Sequence, residues 1–188
     1  MDFFVYSRDA AGTEALRDDN DLLEQHWSYM DTFAGSMIAR GPTFRADRET
    51  VTGSLHVLTL PDVEAAREFV GREPNNCAGV YREHLVWRFE NLLGRTMWEF
   101  PGTADEPKFL VVARSRRSPA PPGSLTTALR ERLILYGALS ALEQAEPAGV
   151  ALAIQASSRQ AVAAVFEDAR VGETHDVEIH DWEFGGRR

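Results

Sequence analysis

One order of elements occurs twice along these 188 residues. Phe3–Ser7 (FFVYS) is a short run of β-forming residues, and Gly53–Leu60 (GSLHVLTL) and Arg82–Glu90 (REHLVWRFE) alternate in polarity, so all three read as strands, with Thr43–Ala46 a further candidate. Between them lie two helical stretches: Asp21–Pro42, and Val63–Gly71, which Pro61-Asp62 opens. The second half matches piece by piece. Phe109–Ala113 (FLVVA) answers the first strand, Leu125–Gly137 the first helix and Gly149–Ala156 (GVALAIQA) the Gly-Ser strand; Ser158–Asp168 answers the second helix and Thr174–Phe184 the last strand. Strand, helix, strand, strand, helix, strand is the ferredoxin-like order, and its recurrence at about ninety residues reads as a tandem duplication. A sheet with helices on one face must cover the other. Two copies can do this face to face, so the expectation is an α+β chain of tandem ferredoxin-like repeats forming an intramolecular α/β barrel. The expected domains are residues 1–96 and 108–188, joined by a Gly- and Pro-punctuated linker, 97–107.

The first helix carries the histidine with the most chemical interest. Leu22, His26, Tyr29, Met30, Phe33 and Met37 recur at three- and four-residue steps, and Leu23, Trp27, Ala34 and Ile38 widen the stripe. Asp21 reads as N-cap with Glu24 in capping-box spacing, Gly41 as C-cap and Pro42 as the stop. His26 therefore points inward from an amphipathic helix, the position of a core histidine or of a catalytic one. His56, in the Gly-Ser strand, could meet it across the helix–sheet layer. The acidic run Asp18–Asp21 sits at the helix N-terminus, where the macrodipole favours anions.

Composition excludes several classes. A net charge of -9 argues against a nucleic-acid or anionic-membrane surface. Arg114, Arg116 and Arg117 form the one basic cluster, and no aromatic residue interleaves it. The single cysteine, Cys77, rules out an internal disulfide, lacks a basic neighbour and reads as structural. No signal peptide or membrane-spanning run is evident, so a cytoplasmic location is expected. HExxH, CxxC, P-loop, GxGxxG and Gly-x-Ser-x-Gly motifs are absent, so neither a metal nor a nucleotide cofactor is expected.

The inward His26, Gly41-Pro42, the Gly53-Ser54 strand followed by Pro61-Asp62, and Glu73-Pro74 followed by Ala78-Gly79 together resemble the YCII-related family, over roughly the first hundred residues. The second half resembles the same fold only in pattern and reads as a degenerate copy: aligning Gly137 with Gly41 puts Pro122 where His26 stands. The resemblance implies a dimeric α/β barrel with His26 as the family histidine. One family member is similar to a lyase that removes chloride from a chlorinated hydroxyquinol with a His–Asp pair. On that pattern His26 and Asp31 are the candidate catalytic residues. Asp31 lies about 140° round the helix from His26, so an acid from another element is the alternative.

The leading expectation is a cofactor-independent enzyme moving a proton through His26, in an elimination or isomerisation of an apolar or aromatic small molecule. Candidate substrate-binding residues are Tyr29, Met30, Phe33, Arg40, Thr43, His56 and Tyr81. The competing expectations are a non-catalytic ligand-binding or accessory protein and an oxygen-dependent monooxygenase. A homodimer is also expected, because Trp87, Trp98 and Trp182 supply apolar surface beyond what one barrel needs to bury.

Overall fold

The alternation within each strand decides where the main core sits. In β1 (Asp2–Asp9), Phe4 and Tyr6 face one way and Phe3 and Val5 the other; in β5 (Lys108–Ser115), Leu110 and Val112 do the same against Phe109 and Val111. One set lines the lumen of a closed eight-stranded barrel, in the order β1-β3-β2-β8-β5-β7-β6-β4. The other set lies under helices. The remaining strands are β2 (Met37–Phe44), β3 (Val51–Thr59), β4 (Tyr81–Asn91), β6 (Leu133–Ser140), β7 (Pro147–Gln155) and β8 (His175–Trp182). Leu55, Val57, Phe89, Ile134 and Trp182 complete the lumen. This is a computed structural model, and it describes residues 1–103, 105–116, 127–168 and 174–186. The loop read at Ser118–Gly123, with Arg117, Pro122 and Leu125, lies outside the described residues.

The first half places α1 (Glu14–Arg17), α2 (Asn20–Asp31), α3 (Val63–Arg72) and the single turn α4 (Pro74–Cys77) outside the barrel; the second half places α5 (Thr127–Arg132) and α6 (Arg159–Asp168). Phe3, Val5, Met30, Met37, Leu58, Ala66 and Phe69 form the first helix–sheet core, and Phe109, Val111, Leu133, Leu152, Ile154 and Val162 the second. The tandem ferredoxin-like architecture is present, with both sheets closed into one barrel.

Several boundaries differ from the sequence reading. The first helix ends at Asp31, not Pro42: a 3-10 turn follows at Ala34–Ser36, and Met37–Phe44 is strand. Met37 and Ile38 fit a helical stripe, but a short apolar run fits a buried strand equally well, and pairing with β3 decided the matter. Gly41-Pro42 is thus strand interior, not a helix stop. The second half repeats the error, since the expected helix to Gly137 stops at Arg132 and Leu133–Ser140 is strand. The N-cap of α2 is Asp19, whose Oδ1 accepts from the Leu22 N–H at 2.9 Å. A single helical turn beyond those read from the sequence falls at Pro74–Cys77.

The two halves meet at two seams, β2 with β8 and β4 with β6. Each seam passes a glycine at the same place in its strand. A Cβ on Gly41 would stand 1.9 Å from the Glu183 carbonyl oxygen, and one on Gly137 would stand 2.4 Å from that of Glu90. The backbones approach too closely for any other residue. At one end of the lumen a charged network spans the halves: Arg8 reaches Glu83 at 3.0 Å and Glu178, and Arg114 reaches Glu178 at 2.8 Å. Trp182 is fully buried in the lumen and Trp87 packs against it, so of the three tryptophans behind the dimer expectation only Trp98 is markedly exposed. Among the described residues no helix is long and apolar enough to cross a membrane.

Gly41→Ala and Gly137→Ala should each destabilise the protein by about 1–3 kcal/mol, the usual cost of forcing an atom into a packed site. Urea unfolding followed by far-UV circular dichroism checks this, and a neutral alanine at either position would contradict the seam assignment.

Candidate functional site

The site is built where α2, α4, β2 and β3 converge with the chain end after β8. His26 projects from the middle of α2, with its side chain 13% exposed. Its Nδ1 lies 2.5 Å from Glu73 Oε1. Glu73 comes from the junction of α3 and α4 and is 3% exposed. Its position has a local cause: with Pro74 at the first helical position, Glu73 is the N-cap of α4, and its Oε2 accepts from the Asn76 N–H at 2.8 Å. Asn75 Nδ2 donates to Oε1 at 3.3 Å. An ionised carboxylate only accepts, so in the His26–Glu73 pair with Glu73 as carboxylate the donor is His26 Nδ1. The ring's other nitrogen, Nε2, is then the basic one.

Beside His26 stands His56, their ring centroids 5.8 Å apart. His56 comes from the helix-facing side of β3, is 3% exposed and meets Phe69 edge-on at 5.7 Å. Burial first, and then the nearby His26, Arg17 and Arg40, hold its imidazole well below the usual histidine range. Arg17 is fixed by a bidentate pair with Asp9, at 2.9 and 2.6 Å, and by Ser54 Oγ at 3.2 Å, and its guanidinium lies over the Tyr81 ring. The Tyr81 hydroxyl is pushed up to about 12 by burial and by the nearby Glu73 charge.

These groups border a cavity of about 370 Å³. Its polar wall includes His26, His56, Arg17 and Arg40; its apolar wall includes Leu23, Trp27, Met30 and Phe184. Of the residues expected from sequence, His26, Met30, Arg40 and His56 line it. Tyr29 and Phe33 instead pack edge-on against each other and on Phe69, with the Tyr29 hydroxyl donating to the Phe69 carbonyl at 3.0 Å and raised to about 12 chiefly by burial. Thr43 faces the lumen, where its hydroxyl meets those of Tyr6 and Thr52 at 3.3 and 3.1 Å. Tyr81 lies behind Arg17. Asp31, on the far side of α2, points to Arg40 at 3.9 Å, and the acid paired with His26 is Glu73 instead. The reason is the helical angle between positions 26 and 31.

Sequence reasoning missed Glu73 as a site residue. The signal was present, since Glu before Pro at a helix start is an N-cap pattern. What a cap's second oxygen touches, however, is a matter of tertiary packing. Leu23, Trp27, Ser54 and the segment Phe184–Gly186 were missed too, the last because it arrives from the opposite end of the chain. Among the described residues no cluster of His, Cys, Asp and Glu is placed to hold a metal ion.

The state of His56 carries a sign for stability. Its folded pKa is depressed, so below about pH 6.5 the unfolded chain takes up this proton first. Its contribution is therefore complete above that pH and is lost as pH falls toward the folded value. Stability should drop on acidification from pH 7 to pH 5, with His56 contributing a slope of up to about 1.4 kcal/mol per pH unit. His56→Leu should flatten that slope in thermal melts across the range; an unchanged slope would mean that His56 titrates normally.

No curated protein sequence matches the chain. A structure of 5-chloro-2-hydroxyhydroquinone dehydrochlorinase from Burkholderia phenoliruptrix, in complex with 2,5-dihydroxybenzoquinone, is similar at 25% identity, covering 48% of this chain and 95% of that one, with a TM-score of 0.45. A proposed monooxygenase from Fusobacterium nucleatum covers 97% of this chain and 91% of its own at 7% identity and a TM-score of 0.52, a likeness of fold alone. The model of the YCII-related domain matches residues 1–90. Residues 1–90, the stretch that carries His26, His56 and Glu73, match the YCII-related domain, and they are set within an eight-stranded barrel that shares the fold of the Fusobacterium protein.

Proposed function

We propose that this protein is a small-molecule enzyme in which His26 acts as the general acid–base on a ligand bound between α2 and the first-half sheet. The observation that carries the reading is the 2.5 Å contact of His26 Nδ1 with the buried Glu73 carboxylate, on a residue that also borders the cavity. A carboxylate on one ring nitrogen fixes the tautomer and ring orientation, leaves the other nitrogen to take a proton, and stabilises the imidazolium that forms. The proton then returns to the ligand at another atom, or to solvent with a leaving group, as in an isomerisation or an elimination.

The rest of the wall supports a ligand class. Leu23, Trp27, Met30 and Phe184 offer apolar and aromatic surface, and Arg40 offers a guanidinium that can hold an anionic or carbonyl oxygen. His56, kept neutral, presents one donor and one acceptor without adding charge. The reading is therefore proton transfer on an apolar or aromatic molecule bearing an acidic or carbonyl oxygen.

A panel of hydroxylated and halogenated aromatic compounds tests this, followed by absorbance and halide release and including 5-chloro-2-hydroxyhydroquinone, the compound named for the Burkholderia enzyme. Among compounds that turn over, His26→Ala should lower kcat by about 10²–10⁴-fold, the usual worth of a general acid–base. Glu73→Gln should lower kcat far more than it raises KM, because it removes the charge that steadies the imidazolium. His26→Ala with wild-type turnover would end the proposal. Binding of panel members without turnover in the wild type would instead make this a ligand-binding protein.

A further inference from the structure

The second half is an internal control for the first. The strand registers put the halves in correspondence: Arg40 lies opposite His56 and Gly41 opposite Leu55, while Tyr136 lies opposite Leu152 and Gly137 opposite Ala151. The chain ends correspond as well. After β8 the Gly185 N–H donates to the Arg40 carbonyl at 3.1 Å, and after β4 the Leu92 N–H donates to the Tyr136 carbonyl at 3.0 Å. Gly185 thus matches Leu92, and Gly186 matches Leu93. Where the first half has Arg40, His56 and Gly186 around a cavity, the second has Tyr136, Leu152 and Leu93, all buried in one apolar core. The fold accepts a filled version of this layer, so packing alone does not ask for the arginine, the histidine or the glycine.

Gly186 is constrained by its own backbone. Its φ is +83°, and a Cβ there would stand 2.4 Å from Arg40 Cζ and 2.5 Å from Nε. Its backbone therefore lies against the guanidinium, and a side chain at this position must push that group aside. The segment is also firmly held. The Glu183 N–H donates to the Pro42 carbonyl at 3.3 Å, and its carboxylate takes Arg48 at 2.7 Å and Lys108 at 3.0 Å. The Phe184 ring sits edge-on to Trp182 at 5.5 Å and to Phe100 at 6.5 Å. It is a built wall rather than a loose end.

We infer that Phe184–Gly186, contributed by the second half, is the specificity-determining wall of the first half's site. Gly186 seats the Arg40 guanidinium for the anionic group of a planar aromatic acid, and Phe184 bounds the room for its ring system. This rests on the acid–base reading of the same cavity but concerns binding, which can be measured without turnover. The wall also explains the arrangement of the chain: the second half has closed its own pocket and supplies one side of the other.

Isothermal titration of benzoate, 1-naphthoate and the neutral 1-naphthalenemethanol into the full chain tests the inference. The wild type should bind both acids. Gly186→Ala should weaken both by about tenfold, the equivalent of roughly 1.4 kcal/mol, while changing the neutral alcohol little. Phe184→Ala should weaken 1-naphthoate more than benzoate, and it keeps the question open to measurement should Gly186→Ala fail to fold. Equal affinities in wild type and both variants, or no binding of either acid by the wild type, would overturn the wall. If the variants shift binding as expected while His26→Ala leaves turnover intact, the acid–base reading fails and the wall stands. If His26 proves catalytic and the variants bind as wild type, the reverse holds.

Discussion

Each half of this chain, taken alone, would leave one face of a four-stranded sheet bare to water, and the rest of the molecule follows from how that face is covered. Phe4, Tyr6, Leu55 and Val57 of the first half meet Leu110, Val112, Ile134 and Trp182 of the second in a shared lumen. Closure needs β2 to run beside β8 and β4 beside β6, and those seams are close enough to require Gly41 and Gly137. The pseudo-symmetric barrel is therefore a consequence of burying two apolar faces at once.

Closure also has a chemical consequence. Because β2 runs beside the end of β8, Phe184–Gly186 lie against Arg40 and complete a cavity whose other walls are all in the first ninety residues. The first ninety residues alone would lack that wall. Within the one chain the two halves differ in this layer, the first keeping polar groups and space and the second packing Leu93, Tyr136 and Leu152 there.

Within the site, Glu73 does two jobs with its two oxygens. One caps α4 and the other holds His26. The cap ties the carboxylate to the backbone, so the orientation of the imidazole is set by helix geometry rather than by a free side chain. A carboxylate this buried is tolerated because the Asn76 N–H, Asn75 Nδ2 and His26 all meet it. His56 shows the opposite solution, a titratable group kept neutral by burial among cations.

Much of this was legible in the residues themselves. The apolar β-forming runs FFVYS and FLVVA and the alternating GSLHVLTL specify strands with two apolar faces, and their repetition specifies two units that must cover each other. The stripe through Leu22, His26 and Met30 turns His26 inward, and Gly41 and Gly137 align the halves. What local pattern could not decide was where α2 ends, because Met37-Ile38-Ala39 suits a helix or a buried strand and only the ladder with β3 chooses. Nor could it pair His26 with Glu73, forty-seven residues away, bring Phe184 and Gly186 to a cavity that begins at Arg17, or turn Trp182 into the lumen. Spacing along the chain determines which face a side chain occupies; which partner waits across that face depends on the closure of the whole sheet, a long-range event that no local window contains.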